Sequence, residues 1–577
     1  MQSCVSFVKP LIENCIKHHQ PVCSGKKSHV LPKRLLALEM KNQLVNVRLA
    51  ATEDLEQQGL VEYVALSHCW GDGKNIAKTT LQNIDKQFLG LAWHSLSNTF
   101  KDAIEITWNL GIRYLWIDSV CIVQNDSSDW ESESVRMADI YANAYLTIAA
   151  TYGRCLSSRM TWQLWNNTFH KFPLQLARIG GTHHGKPFEV YARYGSDTSH
   201  EDMDRRFSSY DRDVAPLMSR AWCYQERMVS PRILHFHPEE MVWECRCSVD
   251  CECGFFQSDA SHERLSWSDS LKQKITSALE GSKSKAELFD IWFDVVEGCT
   301  SLSLTYVSDR LPALSGLANR FAPMLNCEYL AGLWKDDLPR ALLWTATSTD
   351  TKELTRRRDS KIPTWSWASL EYVGERSMEP GLSIQYAGGV RNITVDKRCR
   401  IVGVSHTSSK INEHTTTRPS ISIQGACVSK PYIKRFTYCL NLDIDLAHGV
   451  ELTLLLIGGQ RGSSDGNNEG VAERETEEVN EEVNEEDTEE VNEEANQEVN
   501  QEVNQEVKEE VDQEVDEEVN EGDIEGHNDW YSEWGEDDTW DFIILLQKEP
   551  GIFERVGVGY NSSRIFENAE IVTLEIV

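Results

Sequence analysis

Three stretches decide the reading of this chain: YVALSHCWG (Tyr63 to Gly71), GIRYLWIDSVCIVQ (Gly111 to Gln124) and SRAWCYQERMVSPRILHF (Ser219 to Phe236). In order they read as strand, strand-turn-helix and helix. Val64 to Ser67 is apolar and β-compatible, and it runs into His68-Cys69-Trp70-Gly71. Between the first two stretches, Phe100, Ala103, Ile104, Thr107 and Leu110 recur at helical spacing, which predicts an amphipathic helix over Ser97 to Leu110. Asn98 or Thr99 is placed to cap it, and Gly111 sits where a helix ends. Tyr114 to Asp118 then reads as a buried strand. Trp130 to Ala144 reads as a helix with Trp130, Met137, Ile140, Tyr141 and Ala144 inward, and Leu146 to Ala150 as a third strand. Strands alternating with helices favour a parallel sheet with helices on its faces.

The organisation outside this core follows from shifts in pattern. Residues 1–58 form an N-terminal segment, 59–236 the α/β domain with a weakly periodic excursion at 151–218, and 237–360 a mainly helical region. Helices are expected near Leu288 to Glu297 and Leu314 to Phe321. A β-rich region spans 361–462 from PTWSWAS (Pro363 to Ser369), and 539–577 is a β-rich end with DFIILLQ and FERVGVGY as strands. Between them, 463–538 carries a four-residue Val-Asn-Glu-Glu repeat. A helix turns about 100° per residue, so a four-residue step winds the Val stripe round it, and Glu at i and i+4 repel. A solvated, disordered acidic insertion is the expectation, with a calcium sink or a decoy for a basic partner as alternatives.

The chain has 577 residues, 40% hydrophobic content and a net charge of −34. That charge is local: Glu469 to Asp541 holds 33 acidic and 2 basic residues. The remainder is close to neutral, which argues against a basic nucleic-acid groove. No apolar run is long enough to span a membrane. The N-terminus lacks a secretory signal, so the 16 Cys are expected as reduced thiols and the location as cytoplasmic.

The three ordered motifs resemble the fungal heterokaryon-incompatibility (HET) domain, and LAGLW (Leu330 to Trp334) and PTWSWAS look like what commonly follows it. The resemblance implies a part in non-self recognition and cell death. HET domains have in turn been proposed as distant relatives of TIR domains, some of which cleave NAD. The expected fold is thus a TIR-like parallel sheet flanked by helices, then a helical middle and a β-rich C-terminal region. A TIR-like core has a strand ending in Ser, a strand ending in Asp, and a tryptophan four residues before a glutamate. Ser67, Asp118, Trp222 and Glu226 match that order, and the resemblance makes Glu226 the catalytic position. It also implies self-association, protein partners and NAD as a substrate, with no cofactor. The alternative within the same pathway is a non-enzymatic adaptor.

Each candidate has a plainer role beside the chemical one. On a helix, Trp222 and Glu226 share a face, so the indole could shield the carboxylate beside a ribose; equally, Glu226 could form an ion pair with Arg220 or Arg227. Asp118, at a strand end, could meet a ribose or cap the turn at Ser119. Ser67, His68, Trp70 and Gly71 could line the same crevice, with Trp70 stacking on a base or plugging the core; Gln124 is a candidate of the same type. A Cys-His nucleophile could be drawn from Cys69 or Cys223 with His68 or His235. Cys245, Cys247, Cys251 and Cys253 could hold zinc, and Cys15, His19 and Cys23, four apart, could hold a metal or simply pack.

Overall fold

The computed structural model describes residues 2–23, 31–41, 44–55, 61–71, 76–151, 177–183, 186–192, 215–237, 240–254, 270–281, 283–346, 354–357, 361–373, 381–386, 390–397, 399–405, 420–431, 440–444, 446, 450–460, 539–562, 566 and 569–577. Two compact units partition the chain, Met1–Gln460 with Trp540–Val577 and Arg461–Thr539. The acidic repeat lies in the second, outside the described residues.

An eight-stranded sheet organises the N-terminal half. Its strands are β1 (Arg34–Lys41), β2 (Leu44–Ala51), β3 (Val64–Ser67), β4 (Tyr114–Ile117), β5 (Leu146–Ala149), β8 (Arg232–Phe236), β9 (Met241–Cys245) and β10 (Val249–Cys251), in the spatial order β10-β9-β8-β5-β3-β4-β1-β2. A separate hairpin, β6 (Ala177–His183) with β7 (Lys186–Ala192), occupies part of the excursion. The four central strands are parallel, as β3 pairs β4 and β5, and β5 pairs β8. The sheet as a whole is mixed, which corrects the expectation of a parallel one. β1 and β2 form a hairpin that pairs antiparallel to β4, and β9 returns antiparallel on β8. Short connections can join only antiparallel neighbours, and both flanks are built from short connections.

Local signals place the elements. Val64, Ala65 and Leu66 are all fully buried, so the strand shows no alternation, as expected for a strand covered on both faces. Helix α3 (Asn98–Asn109) is capped by Ser97, whose hydroxyl accepts from Phe100 N, rather than by Asn98 or Thr99. It ends at Gly111, whose φ of 87° suits glycine. Helix α5 (Ser127–Asn143) starts three residues before Trp130 because Asp126 accepts from the N–H groups of Ser128 and Asp129. Trp130 falls in its first turn and is 40% exposed, not inward, whereas Met137, Ile140 and Tyr141 are buried. The third motif is helix α6 (Ala221–Val229) followed directly by β8.

The longer helices among the described residues of the middle of the chain are α7 (Leu271–Leu279), α8 (Lys285–Thr300) and α9 (Pro312–Leu325). α9 packs on α5 and α6 through Gly316, whose N–H donates to Gln225 Oε1 at 2.8 Å. A Cβ at Gly316 would stand 2.2 Å from Ala138 Cβ and 2.5 Å from Gln225 Oε1. Gly316→Ala is therefore expected to lower stability by about 1–3 kcal/mol, read by thermal denaturation. No helix among the described residues is long and apolar enough to cross a membrane.

The C-terminal sheet joins β11 (Thr394–Val395), β12 (Arg400–Ser405), β13 (Ser420–Pro431), β14 (Leu440–Leu442), β15 (Glu451–Gln460), β16 (Thr539–Glu549), β17 (Ile552–Ser562) and β18 (Glu570–Ile576). Pairings run β15-β16-β17-β18-β13, and β13 pairs back onto β15, so these five close a ring. The acidic repeat is thus inserted between two adjacent strands of one sheet. Beside it, the tryptophans of LAGLW and PTWSWAS are core residues: Trp334, Trp365 and Trp367 are at most 1% exposed. Gly332 has φ of 102°, and a Cβ there would meet the Trp367 ring at 2.7 Å, so only glycine suits the turn.

Candidate functional site

The parallel strands follow the order β4-β3-β5-β8, so the chain leaves β3 to one side and returns to the other. Opposite directions of travel with right-handed crossovers put α3 and α5 on opposite faces. The carboxyl ends of β3 and β5 therefore mark the topological switch point, where open α/β sheets gather ligands. Ser67 ends β3, Asp118 follows β4, and α6 brings Glu226 in front of β8. Residues drawn from all three sequence motifs meet here.

Glu226 is 7% exposed, and its Oε2 makes no hydrogen bond. Burial pushes its carboxyl up to about 7; the Ser67 hydroxyl pulls it down, the Asp118 charge pushes it up, and Tyr141 and Arg220 pull it down. Tyr141 donates to the Leu66 carbonyl at 3.1 Å from its place on α5. Arg220, on the turn before α6, interacts electrostatically with Glu226, Asp118, Cys69 and Cys223 together. Arg227 does not serve Glu226: its guanidinium is bidentate on Glu244, at 2.9 and 3.1 Å.

Asp118 is committed on both oxygens. Oδ1 accepts from Ser119 N at 2.6 Å, and Oδ2 accepts from Trp70 Nε1 at 2.8 Å. Asp118 thus caps the turn at Ser119 and holds the Trp70 indole. His68 Nδ1 lies 3.8 Å from Asp118 Oδ1, its ring stands edge-on to Phe100 at 5.1 Å, and burial holds its pKa below the usual value, so it is neutral near pH 7. Trp70 is partly buried and has Lys78 Nζ 5.5 Å from its ring centre. Gly71 turns the exposed chain at φ of 61°. Gln124 Nε2 donates to the carbonyls of Asp118 and Ile122, holding the loop. Trp222 Nε1 donates to Asp309 Oδ2 at 3.1 Å and so ties α6 to the turn Val307–Asp309.

The Cys-His alternatives fare differently. Burial pushes the Cys69 and Cys223 thiols up, Cys223 far up, which keeps them protonated and poor nucleophiles. His235 is occupied by Glu244 at 3.0 Å and by Thr151 at 3.2 Å. A cavity no larger than one water lies among Ser67, Ala149, Leu217, Cys223 and Ile233.

The four cysteines of CRCSVDCECG do not converge. Cys251 and Cys253 lie 3.3 Å apart beside Glu240, while Cys245 at the end of β9 faces His19 Nδ1 at 3.4 Å. Cys15, His19 and Cys23 thus acquire a fourth partner from the end of β9. Sequence reasoning found both halves of this group but had no signal joining them. Tyr141 and Arg220 were legible only as a core residue and an ion-pair partner.

These features define an open α/β domain with a closed, polar switch-point site. The family model for heterokaryon incompatibility protein (HET) matches residues 63–226, from the start of β3 to Glu226 itself, and the chain is a HET-domain protein. No curated protein and no solved structure matches the chain. The HET domain gives the protein a role in heterokaryon incompatibility in general terms.

Proposed function

We propose that the protein is a cytoplasmic cell-death effector of heterokaryon incompatibility, with a TIR-like core that self-associates and then cleaves NAD at Glu226. The observation that carries this reading is a buried carboxyl, pushed up to about 7 and with Oε2 unpartnered, beside the switch point. A buried group with a perturbed pKa at a ligand-gathering edge is the arrangement that catalysis uses. In the proposed reaction the bond from ribose C1′ to the nicotinamide nitrogen breaks. Its electron pair neutralises the pyridinium, so no general acid is needed. The Glu226 carboxylate stabilises the oxocarbenium-like centre, water adds to C1′, and its proton leaves to solvent. In this reading Ser67 and Asp118 would turn to ribose hydroxyls once assembly opens the site.

The adaptor reading is supported by the same burial: Glu226 is 7% exposed and the adjoining cavity is water-sized. NAD turnover by the full chain at high concentration, with Glu226→Gln alongside, separates the two. The enzyme reading expects at least about a 10²-fold loss in the variant. Because the carboxylate is the active form, the rate should rise about tenfold per pH unit up to about 7 and level off above it. Glu226→Gln that still kills a fungal host, with NAD intact in both forms, would leave the adaptor.

A further inference from the structure

Helix α1 (Gln2–His18) delivers Cys15 from its last turn. Beyond the helix the chain turns, with His19 N–H donating to the Cys15 carbonyl at 3.0 Å and Cys23 N–H to the His19 carbonyl at 2.8 Å. This path brings the side chains of Cys15, His19 and Cys23 into one group. Opposite them is Cys245, the last residue of β9, 226 positions beyond His19. The three sulfurs and the imidazole nitrogen all lie within 4.8 Å of one another. Cys15, Cys23 and Cys245 are at most 1% exposed.

We infer that Cys15, His19, Cys23 and Cys245 form a structural zinc site that clamps the N-terminal helix onto the β9–β10 hairpin. Zinc takes four N and S ligands at about 2.0 Å (N) and 2.3 Å (S), which puts neighbouring ligand atoms roughly 3.5–3.8 Å apart. His19 Nδ1 and Cys245 Sγ, at 3.4 Å, are already near that spacing. A closed set of four protein ligands leaves no position for water or substrate, which marks a structural rather than a catalytic site. Three thiolates with one imidazole in a tetrahedral cage select zinc over the oxygen-seeking cations.

The surroundings of Cys245 support the same conclusion. Its sulfur accepts from the backbone N–H groups of Cys247 at 3.4 Å and Ser248 at 3.2 Å, and lies 3.3 Å from Ser248 Oγ. Donors converging on one buried sulfur are what a metal thiolate requires of its outer shell. Packing alone explains a buried cysteine, but not three buried thiols and an imidazole arranged round a common centre under such donors. Cys247 sits outside the group, although its sulfur is 3.7 Å from that of Cys23. The neighbouring Glu240, Cys251 and Cys253 differ: Cys253 N–H already donates to Glu240 at 2.9 Å, and Cys253 is exposed.

Both halves of the site lie outside the matched residues 63–226, one before and one after. The clamp therefore fastens the flanks of the HET domain to each other and does not depend on what Glu226 does.

The test is the zinc content of the full chain purified without chelator, with X-ray absorption at the zinc edge. The expected result is close to one zinc per chain, bound by three sulfurs and one nitrogen. Cys23→Ser and Cys245→Ser should reduce the content to about a tenth, and Cys247→Ser should leave it unchanged. His19→Cys guards against variants that fail to fold: it should keep the zinc and change the shell to four sulfurs. A folded wild-type chain that holds no stoichiometric zinc after incubation with excess zinc chloride would overturn the assignment. So would an unchanged shell in His19→Cys.

Discussion

Replacing Glu244 with alanine is expected to lower the unfolding free energy by about 3–5 kcal/mol, measured by chemical denaturation of the full chain. Glu244 is fully buried on β9 and gathers Arg227 from α6, His235 from β8 and Lys272 from α7. Burial alone would raise its carboxyl, but Arg227, Lys272 and His235 hold it well below the usual range. Removing it takes a buried counter-charge away from a guanidinium and an ammonium in the interior. Glu244→Gln keeps the shape and the hydrogen-bonding oxygen, so its loss should be smaller but of the same sign. The pH dependence follows from the lowered pKa: the contribution is in place above the ordinary value of 4.5 and is lost as the pH falls towards the folded value.

Lys272 in the same cluster should behave oppositely. Its ammonium is 2% exposed, makes no hydrogen bond, and stands 3.7 Å from Glu244. Burial pulls its pKa down from 10.5 to about 8, and Glu244 only partly offsets that. The folded state therefore holds its proton less tightly than the unfolded state, and stability rises with pH between about 8 and 10.5. With Arg227 and Glu244 already balanced, Lys272→Met leaves a neutral pair. A stability gain of about 1–3 kcal/mol at pH 7, fading above pH 10.5, is the expected outcome of the same denaturation experiment.

The central strands and their helices were legible because each is governed by local signals: the apolar run Val64 to Leu66, the periodicity of α3 and the glycine at 111. What was not legible came from partners distant in sequence. The β1–β2 hairpin and β9 make the sheet mixed, and nothing in the alternation of strand and helix announces antiparallel flanks. Trp130 is apolar and in phase with the core positions of its helix, yet it lies in the first turn, beyond the edge of the covered face. The site shows the same divide. Ser67 ends β3, Asp118 follows β4 and Glu226 lies within α6, three elements that local patterns mark. Arg227 stands next to Glu226 in the chain but turns to Glu244, a choice fixed by the fold of β9. The cysteines were grouped by proximity in sequence, whereas the structure groups them by the edge of the sheet they reach.

Glu226→Gln is expected to make the protein more stable at alkaline pH, by up to about 3 kcal/mol. The folded pKa of about 7 lies above the ordinary 4.5, so the folded state holds this proton more tightly than the unfolded chain. Stability therefore falls as pH rises between 4.5 and 7, and the full penalty persists above that window. Glutamine is the neutral isostere: it should match wild type near pH 4.5 and exceed it increasingly towards pH 8. The sign discriminates between roles, because a glutamate that holds the fold through an ion pair would lose stability on the same substitution. Arg220 attracts the carboxylate, yet that attraction does not cancel the burial of the carboxyl or the repulsion from Asp118. A charge kept against the stability of its own fold is what a reacting or switching group requires. Denaturation of Glu226→Gln and wild type at pH 5 and pH 8 measures it directly, and a variant less stable than wild type at both values would make Glu226 a structural residue.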